Sequence, residues 1–167
     1  NGNLKLAICD DTCATPNRVT IDASGNDVGN RNALTALDDF VVVAHHDATA
    51  GALKLTRCRT NATVCNAVSS VTADATATSG EGIAIARMAN LVPVIFYTRN
   101  FEVRAIRCTE LACSGIAPSN PMLGGLTPTF LSATRDALAV WQAVAAATPS
   151  RPAPAPRSAA SSLFDDE

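Results

Sequence analysis

The residues best placed by type and spacing to do chemistry are six cysteines, a His-His-Asp triplet and a set of recurring aspartates and lysines. The cysteines fall in pairs, Cys9 with Cys13, Cys58 with Cys65 and Cys108 with Cys113. The separations within the pairs differ, whereas a zinc knuckle needs a tight and fixed turn to bring four ligands to one ion. A disulfide beside a short hairpin tolerates a variable loop, provided the two Cα atoms come within about 7 Å. Local disulfides are therefore expected, with reduced core thiols and a metal site as the alternatives. Disulfides in turn imply an oxidising compartment.

His45-His46-Asp47 ends a run rich in β-branched residues. Neighbouring side chains of a strand point to opposite faces, so His45 and His46 cannot both ligate one ion unaided. Packing is the expected role of this pair, and the chain has no third histidine to complete a three-histidine zinc site. Asp22-Ala23-Ser24-Gly25-Asn26-Asp27 loosely resembles a calcium loop but lacks a closing bidentate glutamate, so a solvated turn is expected. Asp10-Asp11 and Asp38-Asp39 read as turns. Lys5, Lys54 and Arg104 recur at one repeat position, where a solvent-facing strand residue is expected over an anion site. Asn61-Ala62-Thr63 has the form of a glycosylation sequon. No glycine pattern for phosphate or dinucleotide binding, no G-x-S-x-G and no H-E-x-x-H occurs. No cofactor is implied.

These residues sit in a repeat. Gly51-Ala52-Leu53-Lys54-Leu55-Thr56-Arg57-Cys58 echoes Gly2 to Cys9, and Phe101 to Cys108 is a worn third copy. The leading cysteines at 9, 58 and 108 set a period of about 50 residues. Each unit reads as four short strands. In the first copy these are Leu4 to Cys9, Arg18 to Asp22, Asn32 to Leu37 and Phe40 to His46. In the second they are Leu53 to Cys58, Val68 to Asp74, Gly82 to Met88 and Leu91 to Tyr97. Pro93 makes the last of these an edge strand unless it lies near the strand's start. The matching positions to His45 and His46 in the second copy are taken as Phe96 and Tyr97.

The third copy starts with Glu102 to Cys108 and then dissolves. Thr127-Pro128 is a good helix start, and Phe130, Ala133, Ala137, Val140, Trp141 and Val144 follow helical steps. The expected organisation is a β-repeat domain over 1–115, a loop over 116–126, a helix over 127–148 and a Pro/Ala-rich disordered tail over 149–167.

The string G-x-L-K-L-x-x-C, a second Cys, an Asp-ended strand, a Val-rich strand and D-A-T-x-G resembles tandem propeller-type repeats of secreted bacterial proteins. The match is carried by Gly2 to Cys13, Val19 to Gly29, Val41 to Cys65 and Pro93 to Cys113. The resemblance implies an all-β fold of about two four-stranded antiparallel propeller-like blades and a partial third; the C-terminal α-helix expected after them rests on the residue pattern alone, and no propeller repeat predicts it. The resemblance also implies a secreted or envelope location, and it implies no activity.

Composition narrows the rest. Apolar residues are 47% and charged residues 17% of 167, which is globular. A net charge of −2 gives no electrostatic footprint for nucleic acid. No run of 18 apolar residues offers a membrane span. The chain begins at Asn1, as a mature or excerpted segment would. The function expected is a scaffold or binding module for a protein or carbohydrate ligand, with self-association through an open sheet edge as a further possibility. The rival is an accessory piece of a secreted, glycosidase-like hydrolase with Asp22, Asp74 or His45 in a groove. A degenerate fragment without a selected function would also fit the decayed third copy.

Overall fold

The computed structural model describes residues 2–37, 39–61, 64–76, 78–87, 92–110 and 113–117, together with three further strands within 120–147. The described chain is all-β. Its strands are β1 (Leu4–Ile8), β2 (Asn17–Asp22), β3 (Asn32–Leu37), β4 (Phe40–Asp47), β5 (Ala52–Asn61), β6 (Val64–Asp74), β7 (Ile83–Arg87), β8 (Pro93–Arg99), β9 (Glu102–Arg107), β10 (Asn120–Leu123), β11 (Pro128–Arg135) and β12 (Trp141–Ala147).

These strands form two four-stranded sheets, β3-β4-β5-β6 and β7-β8-β9-β10, and two hairpins, β1-β2 and β11-β12. All pairings are antiparallel. The sheets do not coincide with the sequence repeats. Each complete sheet takes its first two strands from one repeat and its last two from the next. The cysteine-bearing strand of a repeat is thus the third strand of a sheet. We call the four positions first to fourth. The hairpin β1-β2 is then a third–fourth pair, and β11-β12 a first–second pair. The described residues do not close into a ring.

The layering follows from side-chain alternation. Along β5, Leu53 and Leu55 face one way, and Lys54, Thr56 and Cys58 the other. The first face joins Leu37, Val42 and Ala44 against Ile95, Tyr97 and Ile106 of the second sheet. The second face, with Val43, Cys58 and Cys65, meets Leu4, Leu6 and Ile21 of the first hairpin. The sheet β3–β6 is therefore covered on both sides. That is why β4 reads as a continuous Val-rich run instead of an alternating one. In β1 the alternation is clean: Leu4 and Leu6 are buried, Lys5 and Ala7 exposed.

Pro93 is the first residue of β8, which is a central strand. Proline's missing N–H is tolerated at a strand's start, so the edge-strand expectation gives way to the other one. The helix expected over 127–148 is corrected: strands β11 and β12 occupy Pro128–Arg135 and Trp141–Ala147 and pair with each other. Thr129, Phe130 and Thr134 favour a pleated backbone, and spacing alone does not separate a short apolar strand from a helix. The loop expected over 116–126 contains β10 at Asn120–Leu123. The tail expected over 149–167 lies outside the described residues.

All three cysteine pairs are disulfides, with Cα separations of 4.7, 5.5 and 4.9 Å in chain order. The backbone prepares two of them alike. Cys13 and Cys113 both have φ of 49°, and each N–H donates to the carbonyl three residues earlier, Asp10 and Glu110, at 3.1 Å. At the second pair the left-handed residue is Ala67, two positions after Cys65. There the β5–β6 register slips and makes a bulge.

Candidate functional site

Polar side chains are concentrated between the first hairpin and the sheet β3–β6. Asp22 closes β2 at the seam between these layers. Lys54 donates from Nζ to Asp22 Oδ2 at 2.6 Å and lies 3.8 Å from Asp47 Oδ2. Asn26 donates to Asp47 Oδ2 at 2.8 Å, and Asp47 Oδ1 accepts the Ala50 N–H at 2.9 Å. Asp22 Oδ1 accepts the Ser24 N–H at 2.9 Å. His45, wholly buried, shares a 2.9 Å hydrogen bond between Nε2 and Thr56 Oγ1, and Thr56 in turn bonds Ser70 Oγ at 2.6 Å.

The electrostatics follow from this packing. Burial pushes the Asp22 carboxyl up. The hydrogen bonds from Lys54 and Ser24 outweigh it and hold the group below the usual carboxylate range. Asp47 is likewise lowered, with burial opposed by Asn26, Ala50 and Lys54. Burial dominates at His45 and lowers it from 6.5 to about 4, against the pull of the Asp22 charge. Its Nδ1 makes no hydrogen bond of ordinary geometry, though the Val28 backbone lies near enough to favour the protonated ring. Burial also lowers His46.

Chemically this is a closed network. In a Ser-His-Asp arrangement the carboxylate holds one ring nitrogen while the hydroxyl meets the other. Here Asp22, at 3.8 Å, and Thr56 both lie on Nε2. A glycosidase acid needs a raised carboxyl pKa, and both carboxyls are lowered. Among the described residues, no three His, Cys, Asp or Glu side chains converge as metal ligands. Within the Asp22–Asp27 loop, Asp22 accepts from Lys54 and Asn26 donates to Asp47, so both side chains are engaged with the neighbouring sheet.

The same seam recurs one layer on. Asp74 closes β6 as Asp22 closes β2. Its Oδ2 accepts from Tyr97 Oη at 2.5 Å and from Arg99 Nη1 at 3.2 Å, and Oδ1 accepts the Thr76 N–H at 2.9 Å. Burial again pushes up, but the Tyr97 and Thr76 hydrogen bonds and the Arg99 charge bring it down to about 2. An aspartate at the end of a fourth-position strand thus reaches the next sheet each time: Asp74 bonds Tyr97 and Arg99 of the second-position strand, whereas Asp22 bonds Lys54 of the third-position strand and lies 3.8 Å from His45 of the second.

Register identifies the equivalent residues. His45 lies opposite Lys54, and Tyr97 opposite Arg104. Lys54 and Arg104 each precede a leading cysteine by four positions. Tyr97 therefore replaces His45, Thr98 replaces His46 and Arg99 replaces Asp47. This corrects the match to Phe96 and Tyr97. The turn after β4 spans 48–51, and that after β8 only 100–101, so equal spacing misaligns them.

Lys54 is not the solvent-facing residue expected: its side chain is only 15% exposed and paired with Asp22. Arg104 is also largely buried and donates to Glu102 at 2.8 Å. Of the three only Lys5 is exposed, since among the described residues no layer covers that face of β1. Asp39 pairs with Arg59 at 3.6 Å on the surface, and Asp10 caps the Cys13 turn. Asp38 and residues 62–63 of the sequon lie outside the described residues. Thr56, Ser70, Tyr97 and Arg99 carry no sequence signal of their own. The recurrence of aspartate nine residues after Cys13 and Cys65 was the available clue to their seams.

A hollow of about 140 Å³ lies beside β6, lined by Val42, Leu55, Arg57, Ser69, Val71 and Cys113. It holds no carboxylate or imidazole, and Arg57 Nε is committed to Ser69 Oγ at 2.6 Å. The three disulfides and the β-rich layers are compatible with an extracytoplasmic location. No helix among the described residues is long and apolar enough to cross a membrane. Comparisons with family models, with curated protein sequences and with solved structures found no match to this chain.

Proposed function

We propose that the chain is an extracytoplasmic β-repeat scaffold that binds an extended protein segment along the open edge of β6. The observation that carries this is the contrast between its buried and exposed groups. The polar groups with chemical potential are spent on holding layers together. The long outer strand β6 is largely exposed, with Val64, Val68 and Val71 at 43%, 42% and 37%. Edge strands are usually blunted by charge or proline. Of the fourth-position strands, β2 has Arg18 and β10 has Pro121, whereas Val64 to Ala73 has neither. Only the bulge at Ala67 interrupts it. Such an edge suits strand addition, in which main-chain bonds give affinity.

The test is binding of the labelled chain to an array of random peptides and glycans. Peptide binding that falls at least tenfold in a Val68→Pro variant, with folding retained, is expected. Glycan binding alone, or binding to neither, overturns the reading. The hydrolase alternative is tested with chromogenic glycosides; turnover lost in Asp22→Asn or Asp74→Asn would replace the scaffold by an enzyme.

A further inference from the structure

The hollow beside β6 has a buried floor and an exposed mouth. Val42, Leu55 and Cys113 form the floor and are buried, whereas Ser69, Ser70 and Val71 are exposed residues of the outer strand. Successive side chains of a strand alternate between faces. Lining by three residues in a row therefore means that the hollow reaches the β6 backbone itself. The repeat explains why there is room. By register, Arg57 opposite Ser69 corresponds to Ile8 opposite Asn17. At the first seam Ile8 packs against the apolar core. At the second seam the equivalent Arg57 donates from Nε to Ser69 Oγ at 2.6 Å, and a hollow of about 140 Å³ lies where a branched apolar side chain would pack.

We infer that this hollow is the side-chain pocket of the β6 edge: a strand added there inserts a leucine- or phenylalanine-sized side chain into it and carries an acidic residue two positions away. The inference rests on strand addition at β6 and names what that edge selects. An apolar cavity of about 150 Å³ holds a benzene-sized group, which sets the size. In strand addition the main-chain bonds give affinity, and pockets for alternate side chains give specificity. The charge follows from the rim. Arg57 brings a cation to the hollow, among the described residues no carboxylate lines it, and Val64 to Ala73 carries no charge. A carboxylate on the partner complements this field, and a lysine at the same place is repelled. The Arg57–Ser69 pair lies two residues along from the Leu55–Val71 pair, on the same face. That is the spacing of alternate side chains in an added strand.

The experiment is nuclear magnetic resonance of the 167-residue chain, disulfides intact, with two kinds of probe. The first are N-acetyl-phenylalaninamide and N-acetyl-alaninamide. The second are extended peptides that differ only at the apolar and the acidic position, made in both orders. The phenylalanine probe is expected to shift the amides of Ser69 to Val71 and the methyls of Val42 and Leu55, and the alanine probe to leave them in place. Peptides with Phe or Leu should bind about tenfold tighter than those with Ala. Replacing the acid by Lys should weaken binding about threefold at low salt, a difference that fades as salt is raised. The double variant Arg57→Ile, Ser69→Asn fills the hollow with a pair like that of the first repeat. Both preferences should vanish in it, while peptides with Ala bind as before. Should that variant unfold, the preferences of the unaltered chain decide. Peptides that bind along β6 with no apolar preference overturn the pocket and leave strand addition standing. Shifts by the phenylalanine probe without any peptide binding overturn strand addition, and the partner named here with it. Binding of neither overturns both.

Discussion

Lys54 and Asp22 are the pair on which the first seam turns. Asp22 and Asp47 are both buried, and the cation lies between them. Removing one partner of a buried pair leaves an uncompensated charge, which costs far more than an exposed bridge is worth. Lys54→Met is therefore expected to lose about 3 kcal/mol of stability in urea unfolding at neutral pH. Lys5→Met, the same repeat position on an uncovered face, should change it by less than about 0.5 kcal/mol. Equal effects would mean that Lys54 acts as a surface residue. His45 gives a pH window. Its pKa is about 4 when folded and 6.5 ordinarily, so the unfolded chain binds the proton first as pH falls. The contribution is complete above 6.5 and is lost as pH falls toward 4, a loss of roughly 3 kcal/mol at 1.36 per unit. His45→Gln should flatten that window. Asp74 adds a lower one, from 3.8 down through about 2, where its native hydrogen bonds and ion pair are lost as the carboxyl protonates. A wild-type stability curve that is flat between pH 6.5 and 4 would show that His45 is not held neutral by burial.

At the scale of elements, the disulfides differ in what surrounds them. Cys58 and Cys65 belong to the core that joins the first two layers, at 1% and 9% exposure, whereas Cys9 and Cys13 are exposed. Loop entropy for closures this short is worth roughly 2 to 3 kcal/mol in either case. Packing should separate them. Changing both Cys58 and Cys65 to alanine should cost at least about 1 kcal/mol more than changing Cys9 and Cys13, because buried volume is lost as well. Thermal unfolding of the two double variants checks this. The strands themselves were largely legible from sequence. Asn32–Leu37 matches its expected bounds, and β1, β2, β4, β7 and β9 lie within a residue or so of theirs. Local alternation and β-branched runs suffice there. The start of β6 was missed because Val64 to Ala67 sits in a bulged edge, where Cys65 alone is buried and no apolar alternation is imposed. The strands after residue 116 were missed because alanine-rich stretches favour a helix by propensity, and that weak prior yields to tertiary pairing. The seams escaped for a different reason. Lys54 looks like any strand lysine, and only the layer laid over it makes it a buried one.

For the whole molecule, the offset between repeat and sheet decides how stability is distributed. A repeat boundary falls between β4 and β5, which pair with each other in the middle of a sheet, so no repeat forms a sheet by itself. Successive repeats are thereby laced together, and stability should propagate from neighbour to neighbour. Native-state hydrogen exchange reads this directly, since amides with partners on both sides and layers on both faces open last. Strands β4, β5, β8 and β9 are central in their sheets and should exchange most slowly, with β2 and β6 the fastest of the paired strands. Exchange of β2 or β6 as slow as that of β5 would mean that pairing across the repeat boundary does not set the order of opening.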